Sequence, residues 1–160
     1  MTEFEDRLRQ AIERGEQRRQ HQESAQRQRQ WTEDELKTQH SRQRLEISEY
    51  IELCLEKLTS YLPGFQTETI YGERGWGAAC SRDDFRAQRS GKRSNDYSRL
   101  EITVRPFAEY HLIDLAGKAT IRNKEAFNRN FFQKIQEVDV PEFTDLIDTW
   151  VVEFAELYSG

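Results

Sequence analysis

Histidine and cysteine are scarce: three and two residues in a chain of 160. His21, His40 and His111 are scattered, and neither Cys54 nor Cys80 has a second cysteine at zinc-site spacing, so no metal is expected. Two distant cysteines do not make the disulfide framework of a small secreted fold, and reduced thiols are expected. No apolar run approaches the ~18 residues of a membrane span. The opening MTEFEDRLRQ has no apolar segment of a secretory signal. A cytoplasmic protein without membrane contact is the expectation. A positive excess is missing too. The net charge is −5, divided as +1 over residues 1–44 and −6 over the remainder, which speaks against a domain-wide nonspecific nucleic-acid binder.

Phosphate-binding loops are also lacking. GERGWGA, residues 72–78, has the order G-x-x-G-x-G and leads into a strand pattern, where a dinucleotide site needs a helix. SGKRS, residues 90–94, contains Gly91 and Lys92. However, Arg86 stands where the first P-loop glycine belongs, and Arg93 replaces the magnesium-binding hydroxyl. Gly72, Gly75 and Gly77 are read as backbone turning points. No cofactor is expected.

What is present divides unevenly. Residues 1–44 hold eight hydrophobic residues, whereas residues 45–160 hold 49 of 116. The first part cannot bury a core alone and the second can, so a helical arm over 1–31 and a globular domain over 32–160 are predicted. TEFE offers Thr2 as N-cap and Glu5 as its box partner, and Phe4, Leu8, Ala11 and Ile12 follow at helical spacing. After Gly15 the stripe fades into EQRRQHQESAQRQRQ. Those residues favour helix but offer no face to pack, so an exposed helix, or one that forms beside a partner, is expected. In WTEDELK, Thr32 caps with Glu35 at N3, and Trp31 and Leu36 occupy the two ends of a hydrophobic staple. The helix that starts there is predicted to span 33–62 and to stop at Pro63-Gly64.

From residue 65 the pattern turns to alternation. FQTETIYG reads as a strand, GERG as a turn and WGAACS (76–81) as a return strand. SRLEITVRP sends Leu100, Ile102 and Val104 to one side and Arg99, Glu101 and Thr103 to the other. YHLIDLAGKATIRN suggests a strand, a turn at Gly117 and a further strand through Ile121, giving a meander over 65–123. Phe127, Phe131, Ile135 and Val138 recur at four, four and three, and predict a helix at about 126–138. Asp139, as N-cap with Glu142 as box partner, opens a last helix over 141–158, whose apolar face includes Phe143, Ile147, Trp150 and Phe154. The expected fold is α+β: an antiparallel sheet of four to five strands flanked by N- and C-terminal helices, preceded by a long polar helical arm.

Three functions are weighed. The first is a non-enzymatic interaction module, an adaptor or chaperone-like domain. Its arm binds another protein or a second copy, coiled-coil fashion, through Phe4, Leu8, Ile12, Trp31 and Leu36, large apolar residues with little local core to enter. The second is a nucleic-acid-associated factor. RAQRSGKRSND, residues 86–96, holds Arg86, Arg89, Lys92 and Arg93 with no acid before Asp96, and would bind anions; Arg18, Arg19, Arg27 and Arg29 of the arm would assist. The third is a small enzyme with a site near Cys80 and His111, where Arg82 beside Cys80 would favour the thiolate. The first reading, without catalytic residues, is the one adopted.

Overall fold

The computed structural model describes residues 2–29, 31–87, 91 and 93–160. The chain divides into two compact units, Met1–Leu36 and Lys37–Gly160.

The first unit is dominated by α1, Glu3–Arg29, a helix of 27 residues. It begins where the sequence predicts: the Glu5 N–H donates to the Thr2 carbonyl at 3.1 Å, with Glu3, Glu5 and Asp6 at the positive end of the dipole. Gly15 does not interrupt it. The next helix, α2, spans Glu33–Tyr61 and enters the second unit. Its cap is also as predicted, with the Glu35 N–H donating to Thr32 Oγ1 at 3.1 Å.

The second unit is a five-stranded antiparallel meander in the order β1-β2-β3-β4-β5. The strands are β1 Gln66–Ile70, β2 Trp76–Ala87, β3 Arg93–Val104, β4 Leu112–Ile121 and β5 Lys124–Lys134. A short 3-10 turn, Ile135–Glu137, leads to α3, Val140–Ser159. One sheet face is covered. Cys80, Leu100, Ile102, Val104, Ile113, Leu115 and Ala119 are buried there, with Ile47, Ile51 and Leu55 of α2 and Phe143, Ile147, Trp150 and Phe154 of α3 completing the core. Each such aliphatic or aromatic side chain contributes about 1.5–3 kcal/mol on burial, which is where the stability of this unit resides.

Three sequence expectations are corrected. The segment predicted as a helix at 126–138 is β5, followed by the 3-10 turn. A spacing of four is two strand periods as well as one helical turn, so Phe127 and Phe131 share a face either way. Phe127 packs beside Trp150 and Phe131 against Phe143. Gly117 is not a turn but the middle of one continuous strand, β4. A Cβ there would lie 2.5 Å from Trp150 Cε3, so the glycine makes room for the indole. The reversal falls at Arg122 and Asn123, both at positive φ (48° and 69°), between the paired residues Ile121 and Lys124. That is the geometry of a two-residue hairpin. At α3 the predicted box does not close: Asp139 makes no side-chain cap. Gln133 of β5 takes its place, accepting the Asp139 N–H at 2.7 Å and donating to the Glu142 carboxylate.

Candidate functional site

The described side chains of α1 share one property. From Thr2 to Glu23 every one is exposed. Phe4 is 71% exposed, Leu8 51% and Ile12 54%, and at intervals of four they run along one side of the helix. An ion pair on it, Arg7 to Glu3 at 3.7 Å, lies in solvent and stabilises a helix by a few tenths of a kcal/mol. Trp31 is half-buried and Leu36 is buried. Of the five apolar residues singled out in the sequence, the exposed set is therefore Phe4, Leu8 and Ile12.

A second surface is built by the β2–β3 hairpin. β1 pairs with β2 only as far as Gln66↔Ser81, and β4 with β3 only as far as Arg99↔Thr120. β2 and β3 continue together through six more pairs, Arg82↔Ser98 to Ala87↔Arg93. At about 3.3 Å per residue this two-stranded ribbon extends on the order of 20 Å past the sheet. Its base is braced from both sides. Asn123 donates its N–H to the Tyr97 carbonyl at 2.8 Å, accepts the Tyr97 N–H at 2.9 Å and donates through Nδ2 to the Asn95 carbonyl at 2.7 Å. Tyr158 Oη donates to Asp84 at 3.0 Å, Arg82 holds Asp84 at 2.7 Å, and the same guanidinium donates to the Pro63 carbonyl. The last braced pair is Phe85↔Asn95, and beyond it stand Arg86↔Ser94 and Ala87↔Arg93. Phe85 is 74% exposed. Of the four cations read as an anion-binding loop, Arg86 is the penultimate residue of β2 and Arg93 the first of β3, with side chains outside the described ones, while Arg89 and Lys92 lie outside the described residues altogether. Strand pairing hides in the sequence here because the ribbon has no covered face, and SRDDFRA shows no apolar alternation. Phe85, an apolar residue among charges, was the available signal.

The open face of the sheet is charged but internally neutralised. Arg99 lies between Glu68 at 2.9 Å and Glu101 at 3.7 Å, Arg74 reaches Glu101 at 3.3 Å, and Arg105 reaches Asp114 at 3.4 Å. The hydrogen bond from Arg99 holds the Glu68 carboxyl below its ordinary range. A shallow depression of about 340 Å³ on this face is lined by Arg74, Glu101, Thr103, Arg105, Lys118 and Asn128. Arg74, Glu101 and Arg105 of this lining are each engaged in one of these ion pairs.

Cys80 and His111 are not brought together. Cys80 is fully buried on the covered face of β2, and burial pushes its thiol up to about 11; this outweighs the opposing hydrogen bond with the Leu100 backbone and the charge of Arg99, and keeps it protonated at neutral pH. Through Leu100 it stands in register with Ala119. His111 precedes β4 by one residue, eight positions from Ala119, or roughly 26 Å along the strand. Cys54 has a different neighbourhood, 3.7 Å from an Asp148 oxygen that also accepts the Tyr50 hydroxyl at 2.5 Å. Burial raises the Cys54 thiol, and the bond to Asp148 raises the Tyr50 phenol. This cluster ties α2 to α3. Among the described residues no helix is long and apolar enough to cross a membrane.

Comparison with protein-family models, with curated proteins and with solved structures gave no match.

Proposed function

We propose that the protein is a non-enzymatic interaction module that captures a partner protein, or a second copy of itself, through α1. One observation carries this reading. A helix of 27 residues is exposed along all its described side chains, including Phe4, Leu8 and Ile12. An isolated helix gains most of its stability by packing an amphipathic face, and α1 has an apolar stripe for which a partner surface is the complement. Recognition of this kind lays such anchors, one turn apart, into a groove.

Burying the three side chains is worth roughly 5–9 kcal/mol gross, of which association and ordering costs leave only part as affinity. Aspartate at two of the positions would place charges in that apolar seam, and a loss above about 2.7 kcal/mol is a hundredfold in affinity. The test compares a tagged full-length chain with its Leu8→Asp, Ile12→Asp variant, by co-purification from source cells and by sedimentation of the purified protein. The reading predicts one stoichiometric partner, or a dimer, that the variant loses. Retention of the same assemblies by the variant would end it.

A further inference from the structure

We infer that α1 docks on the outer face of the α2–α3 layer of a second copy of this chain, so that two copies exchanging α1 close a dimer. This rests on the reading of α1 above and names its partner. The layer is one surface because Tyr50 and Cys54 of α2 both reach Asp148 of α3, at 2.5 Å and 3.7 Å. Its core side chains face the sheet. On the opposite side, helical spacing sets Leu45, Glu49, Leu53 and Glu56 along α2 and Asp145, Val152 and Glu156 along α3. Leu45, Leu53 and Val152 are exposed, so both helices carry apolar surface outward. Around it the charge has one sign. Residues 45–61 and 140–160 hold nine acids and one base, Lys57, a net of −8 in a chain of −5. The carboxylates of Glu49, Glu56, Asp145 and Glu156 meet no cation within 4 Å among the described residues. Glu156 also stands in the last turn of α3, which has no basic residue and where the helix dipole disfavours an acid. A docked cation would offset both costs.

The complement is on α1. Its stripe of Phe4, Leu8 and Ile12 is continued at helical spacing by Arg19 and bordered on one side by Arg7, Arg14 and Arg18, all exposed. Arg18 and Arg19 meet no carboxylate within 4 Å among the described residues. Apolar anchors thus face apolar anchors, and arginine forks face carboxylates, the pairing that the guanidinium geometry suits best. The other border of the stripe carries Glu5, Glu16 and Glu23. Only one lateral placement therefore sets unlike charges together, and charge fixes register in this way more than it adds affinity. The arm and the face it fits are different patches of one chain. A single contact would leave an arm and a face free, whereas reciprocal exchange occupies both and closes the pair.

The experiment is sedimentation equilibrium of the purified full chain from 1 to 200 µM, with charges reversed on one side of the contact or the other. The arm variant carries Arg14→Glu, Arg18→Glu and Arg19→Glu; the face variant carries Glu49→Lys, Glu56→Lys and Asp145→Lys. Wild type should dimerise, and either variant alone should have its dimer Kd raised by about tenfold or more. An equimolar mixture should recover the dimer, because each arm then meets a face of opposite sign. Recovery also shows that both variants fold. Should a triple variant unfold, Leu53→Asp with Val152→Asp, both exposed in the single chain, should abolish the dimer instead. The inference is overturned if wild type sediments as a monomer at 200 µM, if the face variants dimerise as well as wild type, or if the mixture fails to associate. In those cases the reading of α1 still stands where Leu8→Asp, Ile12→Asp loses a co-purified protein, or loses a dimer that the face variants keep, as two paired α1 helices would. It falls only where that variant loses nothing.

Discussion

Replacing Gly117 with alanine adds one methyl group to the sheet face that carries Trp150. The new carbon would lie 2.5 Å from Cε3 and 2.6 Å from Cζ3 of the indole, against an ordinary carbon–carbon contact of about 3.5–4.0 Å. The ring is 3% exposed and packs beside Phe127, so it cannot retreat by swinging into solvent. Overpacking of this kind costs roughly 1–3 kcal/mol. Alanine recovers about 0.4–1 kcal/mol by restricting the unfolded chain, which leaves a net loss centred on about 1.3 kcal/mol and no larger than about 2.6 kcal/mol. In a Trp150→Leu background the obstacle is gone, and Gly117→Ala should be neutral or slightly stabilising. Urea unfolding of the four proteins gives the coupling directly, and contacting residues couple by about 0.5–3 kcal/mol. Equal costs in both backgrounds, or an alanine variant as stable as wild type, would show that the sheet and α3 do not meet at this point.

Two further predictions concern titratable groups in the core. Burial, then the nearby Arg44, lowers the His40 pKa from 6.5, and its Nε2 meets no partner among the described residues. Above 6.5 the imidazole is neutral folded and unfolded; below it the unfolded chain takes up a proton that the folded chain resists. Stability should therefore fall as pH drops from 6.5 towards the lowered folded value, by at most about 1.4 kcal/mol per pH unit. Urea midpoints from pH 7.5 to 5.5 should decline less steeply in His40→Asn, and parallel curves would exclude His40 as the cause. Cys80, buried and with its thiol at about 11, should resist iodoacetamide at pH 8 until the protein unfolds, while the half-buried Cys54 reacts first. Rapid native alkylation of Cys80, read by mass spectrometry, would reopen the case for a reactive thiol.

The parts of the fold that were legible in the sequence are those decided locally. Thr32 and Glu35 announce α2 because a cap needs only four consecutive residues, and the alternation of Leu100, Ile102 and Val104 announces β3 because one face is buried and one is not. What was hidden depends on partners distant in sequence. A glycine in a strand pattern reads equally as a turn or as a close approach, and only Trp150, 33 residues away, decides for Gly117. Phe127 and Phe131 fit either period until Trp150 and Phe143 are placed opposite them. Arg122-Asn123 carries a local turn signal, since asparagine tolerates positive φ. The apolar stripe of α1 is visible in the sequence as residues without a local core. The ribbon was visible only as a charge cluster; its length came from strand register.

The central claim, that α1 awaits a partner, is tested most directly by hydrogen exchange of the Phe4–Glu23 amides in the isolated chain and in its co-purified complex. The account predicts that at the lowest working concentration these amides exchange far faster than those of α3, and that they become protected when the partner, or a second copy at high concentration, is bound. Protection equal to that of α3 in the isolated, dilute chain, or no gain in the complex, would contradict it.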